Sequence, residues 1–190
     1  EGLHLMVGFN RRFSPHAKEA RTFFSSRSNP LVMLYRINAG RIPADHWVQD
    51  PDVGGGRVIG EVCHFVDYMH ALCASPPTSV FASRVGRHSS GITEDQCSLS
   101  LTFGDGSIGT IIYTAEGSSA LQKEHFEAHA DGMSLVMSDF METRTYHNGK
   151  SALFKTAKRD KGFAQEMAQF VQAIEQGLPP VIPFEQIDAV

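Results

Sequence analysis

Gly54-Gly55-Gly56-Arg57-Val58-Ile59-Gly60-Glu61-Val62-Cys63-His64-Phe65-Val66-Asp67 is the stretch around which this chain is organised. Three glycines lead into helical spacing, so flexible backbone delivers a helix start to one place. At about 100° per residue, Val58, Val62, Phe65, Val66, Met69, Leu72 and Cys73 fall on one broad arc. Glu61, His64, Asp67 and Tyr68 fall on the opposite arc, with Gly60 between His64 and Asp67. One face packs, and the other presents an imidazole flanked by carboxylates. Imidazole titrates near neutrality, so a histidine in that company suits acid–base work or the orienting of a hydroxyl. The competing reading is an ordinary surface or capping histidine.

Upstream, Leu3 to Phe9 is an almost wholly apolar run, the pattern of a strand buried on both faces. Ser14-Pro15 opens a helix, with serine as cap and proline at the first position, running to about Ser25. Leu31 to Ala39 is a strand with Tyr35, Ile37 and Ala39 on one face. Gly40 to Val53 is a polar loop that carries Arg41, His46 and Trp47, the chain's only tryptophan. A loop of that length usually has a task. An indole face beside hydrogen-bonding side chains suits a sugar, so these residues and the nearby Asn38 and Arg57 are candidate substrate contacts.

Downstream, Val80 to Val85, Gln96 to Phe103 and Ser107 to Ala115 alternate as strands, the last two joined at Gly104-Asp105-Gly106. His125 to Ala130 and Met133 to Ser138 flank Asp131-Gly132, and Thr143 to His147 and Ser151 to Lys155 flank Asn148-Gly149-Lys150. Both are hairpin signals. Gly162 to Gln176 is an amphipathic helix with Phe163, Met167, Phe170, Val171 and Ile174, stopped by Gly177 and Pro179. The sum is an α+β fold: an open, largely antiparallel sheet of six or more strands with helices packed on one face.

Composition narrows the function. The chain has 190 residues, 42% hydrophobic and 20% charged, with a net charge of −4. Its lysines and arginines are scattered, which argues against nucleic acid or an anionic membrane as partner. No apolar run reaches the ~20 residues of a membrane span. Three cysteines without CxxC spacing argue against structural disulfides and for a cytoplasmic location. Both ends of the chain read as cut from something longer.

Two tempting motifs fail on geometry. His64-x-x-Asp67-x-x-His70 has metal-ligand residue types, but His70 falls about 120° from His64, towards the apolar arc. No metal is expected there. Gly54-Gly55-Gly56 with Gly60 lacks both the preceding strand and the spacing of a dinucleotide-binding loop. Arg11 and Arg12 suit a phosphate or carboxylate, or stand as a solvated pair beside a helix start.

MVGFNRRFSP, YRINAG with its following HWVQDP, GGGRVIGEVCHFVD, the antiparallel sheet and the closing KGFAQEMAQFVQAIEQGLPPVIPFEQI together resemble the Gfo/Idh/MocA oxidoreductases, over essentially the whole chain. The resemblance implies the C-terminal half of such an enzyme. Residues 1–12 would be the exit from a missing nucleotide-binding domain, and residues 13–190 a substrate-binding and oligomerisation domain. NAD or NADP would be bound mainly by the missing domain, which would also hold the family's catalytic lysine. The expected substrate is a sugar, nucleotide-sugar or cyclitol, with a homo-oligomer formed through the sheet.

The family's helix histidine, which contacts the reacting hydroxyl, matches His64. Its aspartate four residues earlier is replaced by Gly60, with Glu61 next to it as a substitute carboxylate. The GEVCHFVD form with HWVQDP is more similar to members found in nucleotide-sugar and polysaccharide pathways. The expectations are therefore His64 and Glu61 as catalytic residues, with Asn38, Arg41, His46, Trp47, Arg57 and Arg11 binding substrate. The alternative is a non-catalytic sugar-binding or association domain, and a metal-dependent hydrolase is a third.

Overall fold

The computed structural model describes residues 3–43, 45–50, 52–85 and 96–190. Eight strands form one sheet: β1 (Val32–Asn38), β2 (Pro77–Arg84), β3 (Gln96–Phe103), β4 (Ile108–Thr114), β5 (Glu124–Ala130), β6 (Met133–Ser138), β7 (Glu142–His147) and β8 (Lys150–Lys155). Their order is β2-β3-β4-β1-β5-β6-β7-β8. All neighbours are antiparallel except β1 and β4. The first strand is thus inserted between two meanders, where its inward residues Met33, Tyr35 and Ile37 are buried.

Local chemistry explains the connections. Asp131-Gly132 and Asn148-Gly149 hold positive φ at both residues, as the twist of a two-residue hairpin demands. Helix α1 (Pro15–Phe23) starts as expected, the Ser14 side chain accepting from the Ala17 amide. Helix α2 (Cys63–Cys73) is entered through a π-helical turn, Val58–Val62. Helices α3 (Phe163–Glu175) and α4 (Phe184–Asp188) close the chain.

The core lies between α2 and the sheet. Tyr35, Ile111 and Phe126 stand side by side in register across β4, β1 and β5. Phe65 meets Tyr35 with ring centroids 4.8 Å apart, and Tyr68 meets Phe126 at 4.9 Å. The approach is close enough that a Cβ on Gly109 would lie 2.6 Å from the Met69 sulfur.

Three expectations need correction. Leu3 to Phe9 is not a strand: it has no ladder partner, and Leu3 and Leu5 are exposed. An apolar run becomes a strand only where a neighbour supplies the hydrogen bonds. The second side of α2 is not an open polar face, because Asp67 and Tyr68 are buried. Helix α2 packs on the sheet and also on α1 and the short 3-10 turn Asn10–Phe13. The apolar side of α3 is not buried either, since Phe163, Met167, Val171 and Ile174 are exposed.

Candidate active site

Of the glycines before α2, Gly54 serves packing, while Gly55 and Gly56 hold positive φ. A Cβ on Gly54 would fall 2.4 Å from the Val48 Cα and 2.5 Å from the Trp47 carbonyl oxygen. Glycine at this point lets the three-residue turn Trp47–Gln49 lie directly against the helix entry. The result is a cleft of about 720 Å³ at the start of α2. The chain segment from Val7 to Arg11 forms another wall, and Phe163 at the start of α3 also lines it.

His64 lies half-buried in this cleft with its ring edge-on to Phe9, 5.7 Å between centroids. Its Nδ1 is buried without a hydrogen-bond partner. Burial and the Arg11 guanidinium push the imidazole down to about 4, so the ring is neutral at physiological pH. Asp67 does not flank it. That carboxylate pairs with Arg12 through Nε at 3.0 Å and Nη2 at 2.5 Å.

Glu61 lines the cleft, but its carboxylate is fully engaged. Arg57 donates to it at 3.3 Å, Tyr113 donates its hydroxyl at 2.5 Å, and Lys123 completes the set. Burial would raise this carboxyl, yet the hydrogen bonds from Lys123 and Tyr113 hold it below its ordinary value. Arg57 is buried and also donates to the Gly40 carbonyl at 2.6 Å, its guanidinium lying 5.3 Å from the Tyr113 ring centroid. It locks the loop to the helix.

Arg11 lies in the same wall, but it is a structural cation. It donates to Glu124 at 2.9 and 3.0 Å and stacks 4.7 Å over Phe65. Glu124 is wholly buried and also accepts from Tyr35 at 2.7 Å and Lys161 at 2.5 Å. Against the cost of burial, Arg11 and Lys161 hold this carboxyl down to about 2.

The structure therefore brings together His64, Glu61, Arg57, Arg11, His46 and Trp47. It places Asn38 and Arg41 in a different cleft. Asn38 ties down the loop after β4 by donating to Ser118 and Leu121, and exposed Arg41 pairs with Glu116. Glu124, Lys161, Lys123 and Tyr113 escaped the sequence reading. Glu124 and Arg11 are separated by 113 positions, and a lone acid at a strand start gives no local sign of burial. Among the described residues, no group of three His, Cys, Asp or Glu side chains could hold a metal ion, and no helix is long and apolar enough to cross a membrane.

Residues 30–135, more than half of the chain, match the model of the GFO/IDH/MocA C-terminal domain. The chain belongs to this family of oxidoreductases. Over 114 residues it is 28% identical to the uncharacterized oxidoreductase YrbE of Bacillus subtilis, an alignment covering 58% of this chain and 33% of that protein. Its fold is similar to UDP-N-acetylglucosamine 3-dehydrogenase GnnA of Acidithiobacillus ferrooxidans, with a TM-score of 0.73 and 18% identity over 94% of this chain and 55% of that one. It is also similar to levoglucosan dehydrogenase in complex with NADH and levoglucosan, with a TM-score of 0.75 and 17% identity over 94% and 59%. The chain thus spans a third of YrbE and somewhat over half of these solved relatives.

Proposed function

We propose that the chain is the substrate-binding and oligomerisation domain of a cytoplasmic NAD(P)-dependent oxidoreductase acting on a sugar, nucleotide-sugar or cyclitol. Residues 13–190 form this domain, and residues 1–12 connect it to a nucleotide-binding domain elsewhere in the protein. The observation that carries the reading is His64, held neutral in the wall of the 720 Å³ cleft that it shares with the Trp47 indole.

The described residues offer no glycine-rich strand-to-helix turn for a pyrophosphate. Phe9, Ile59 and Phe163, apolar residues in the lining of the cleft, would hold the flat reacting ring of the cofactor. When bound, the nicotinamide supplies or accepts hydride. This chain's part is to place the reacting hydroxyl. With Nδ1 buried, Nε2 of His64 is the ring nitrogen that exchanges the hydroxyl proton. Glu61 does not take that proton; as a carboxylate it fixes Arg57, Tyr113 and Lys123.

His46 and Trp47 contact the sugar, an indole offering a flat apolar body with one hydrogen-bond donor. Arg11, Arg57, Lys123 and Lys161 set four cations against Glu61 and Glu124 around the helix entry. That excess of positive charge favours a substrate carrying an anionic group, such as the diphosphate of a nucleotide-sugar. The outer sheet face supplies the oligomer contact, and the exposed side of α3 receives the nucleotide-binding domain.

The test is turnover by the intact enzyme across a panel of sugars, nucleotide-sugars and cyclitols with each nicotinamide cofactor. Reduction of NAD or NADP by one of them is expected. No turnover with any class, by an enzyme shown to bind the cofactor, would favour the sugar-binding alternative.

A further inference from the structure

A second cleft, of about 520 Å³, opens on the other side of the Asn10–Phe13 turn. It lies where α1, the last half of α2, α3 and α4 converge, and it shares no lining residue with the His64 cleft. Its walls carry Arg12, Lys18, Arg21 and His70, while none of its lining residues is a carboxylate. Three glutamines, at 165, 169 and 186, and Ser14 are the remaining polar side chains. The charges are only partly compensated. Arg12 is neutralised from beneath by Asp67 and donates Nη1 to the Gln186 side chain at 2.7 Å. Arg21 donates to the Arg12 carbonyl at 2.8 Å and has no carboxylate partner among the described residues. Lys18, one turn before Arg21 on α1, is exposed and likewise has none.

His70 adds an independent sign. It is 5% exposed, it lines the cleft, and its Nδ1 is buried without a partner. Buried polar atoms are nearly always satisfied, and like charges gathered in a concave wall raise the local concentration of counter-ions. Lys18 and Arg21 are cationic donors on α1. Burial and Arg12 lower the His70 imidazole of α2 below its ordinary value, so it enters as a neutral ring with one N–H to donate. A planar carboxylate takes its partners in one plane, whereas a tetrahedral oxyanion accepts from several directions.

We propose that this cleft binds a phosphoryl group of a small molecule, held by Lys18 and Arg21 of α1 and by His70 of α2. The site is separate from the one where the sugar reacts. It is linked to that site through the Asn10–Phe13 turn, in which Arg12 faces this cleft and Arg11 the other.

The experiment is a titration of the chain with inorganic phosphate, against sodium chloride at matched ionic strength, following the ring resonances of His70 and His64 by NMR. The expected result is a saturable shift at His70 with His64 unmoved. Lys18→Gln and Arg21→Gln should each weaken the phosphate affinity about tenfold, the usual size of a charge-assisted contact. Lys18 is exposed on its helix, so its variant keeps the fold and decides the matter even where Arg21→Gln does not fold. A linear, unsaturating response, or a Lys18→Gln affinity equal to the original, would overturn the proposal.

Discussion

His64 and Glu124 show how one environment sets two opposite charge states. Burial and Arg11 keep the imidazole neutral down to about pH 4, while Arg11 and Lys161 keep the carboxylate ionised down to about pH 2. For the intact enzyme, the acid limb of kcat/KM should therefore fall near pH 4 rather than near the ordinary 6.5, which a pH–rate profile checks directly. Both groups also make the fold acid-labile. As pH falls from 6.5 to about 4, the unfolded chain protonates its histidine before the folded one does, so stability declines. From 4.5 to about 2, the unfolded chain protonates its glutamate first, and stability declines again. The glutamate contributes about 3 kcal/mol at neutral pH on this basis. Glu124→Gln leaves Arg11 and Lys161 without their buried counter-charge, and should cost about 3–5 kcal/mol. Its melting profile should also lose the acid slope below pH 4.5.

At the scale of elements, most of the architecture was legible because its signals are local. The Ser14-Pro15 helix start and the Asp131-Gly132 and Asn148-Gly149 turns are short-range chemistry, and the structure has them where the sequence puts them. What was not legible depends on distant partners. Leu3 to Phe9 reads as a strand until the sheet proves to have no place for it. A uniform helical wheel puts Asp67 beside His64, but Arg12, from a segment 55 residues away, draws it into a buried pair. The same wheel takes no account of the π-helical turn at Val58–Val62, and it gives no hint that Glu61 reaches Tyr113 on β4. Gly162 makes a test at this scale. It holds a φ of +88°, and a Cβ there would meet the Asn10 carbonyl oxygen at 2.4 Å. Gly162→Ala should destabilise the chain by about 2–4 kcal/mol in denaturant unfolding, through backbone strain and steric overlap.

Over the whole molecule, the sheet has one face under α2 and one face open. The open face exposes Val32, Phe81, Ile108 and Ile112, an apolar set spread across β1, β2 and β4. If copies associate through it, Ile112→Asp should shift the sedimentation coefficient to that of a smaller assembly while leaving the melting temperature of the subunit little changed. Ile112 does not line the His64 cleft, so the same variant should keep its affinity for substrate. The measurement that bears most directly on the proposed chemistry is the kcat of His64→Ala in the intact protein, with whichever sugar or nucleotide-sugar the substrate panel shows it to turn over. A positioned acid–base group contributes about 10²–10⁴ in rate, so kcat should fall by that factor with KM changing far less. A kcat equal to that of the unaltered enzyme would mean that His64 takes no part in proton transfer, and the assignment of the site would be wrong.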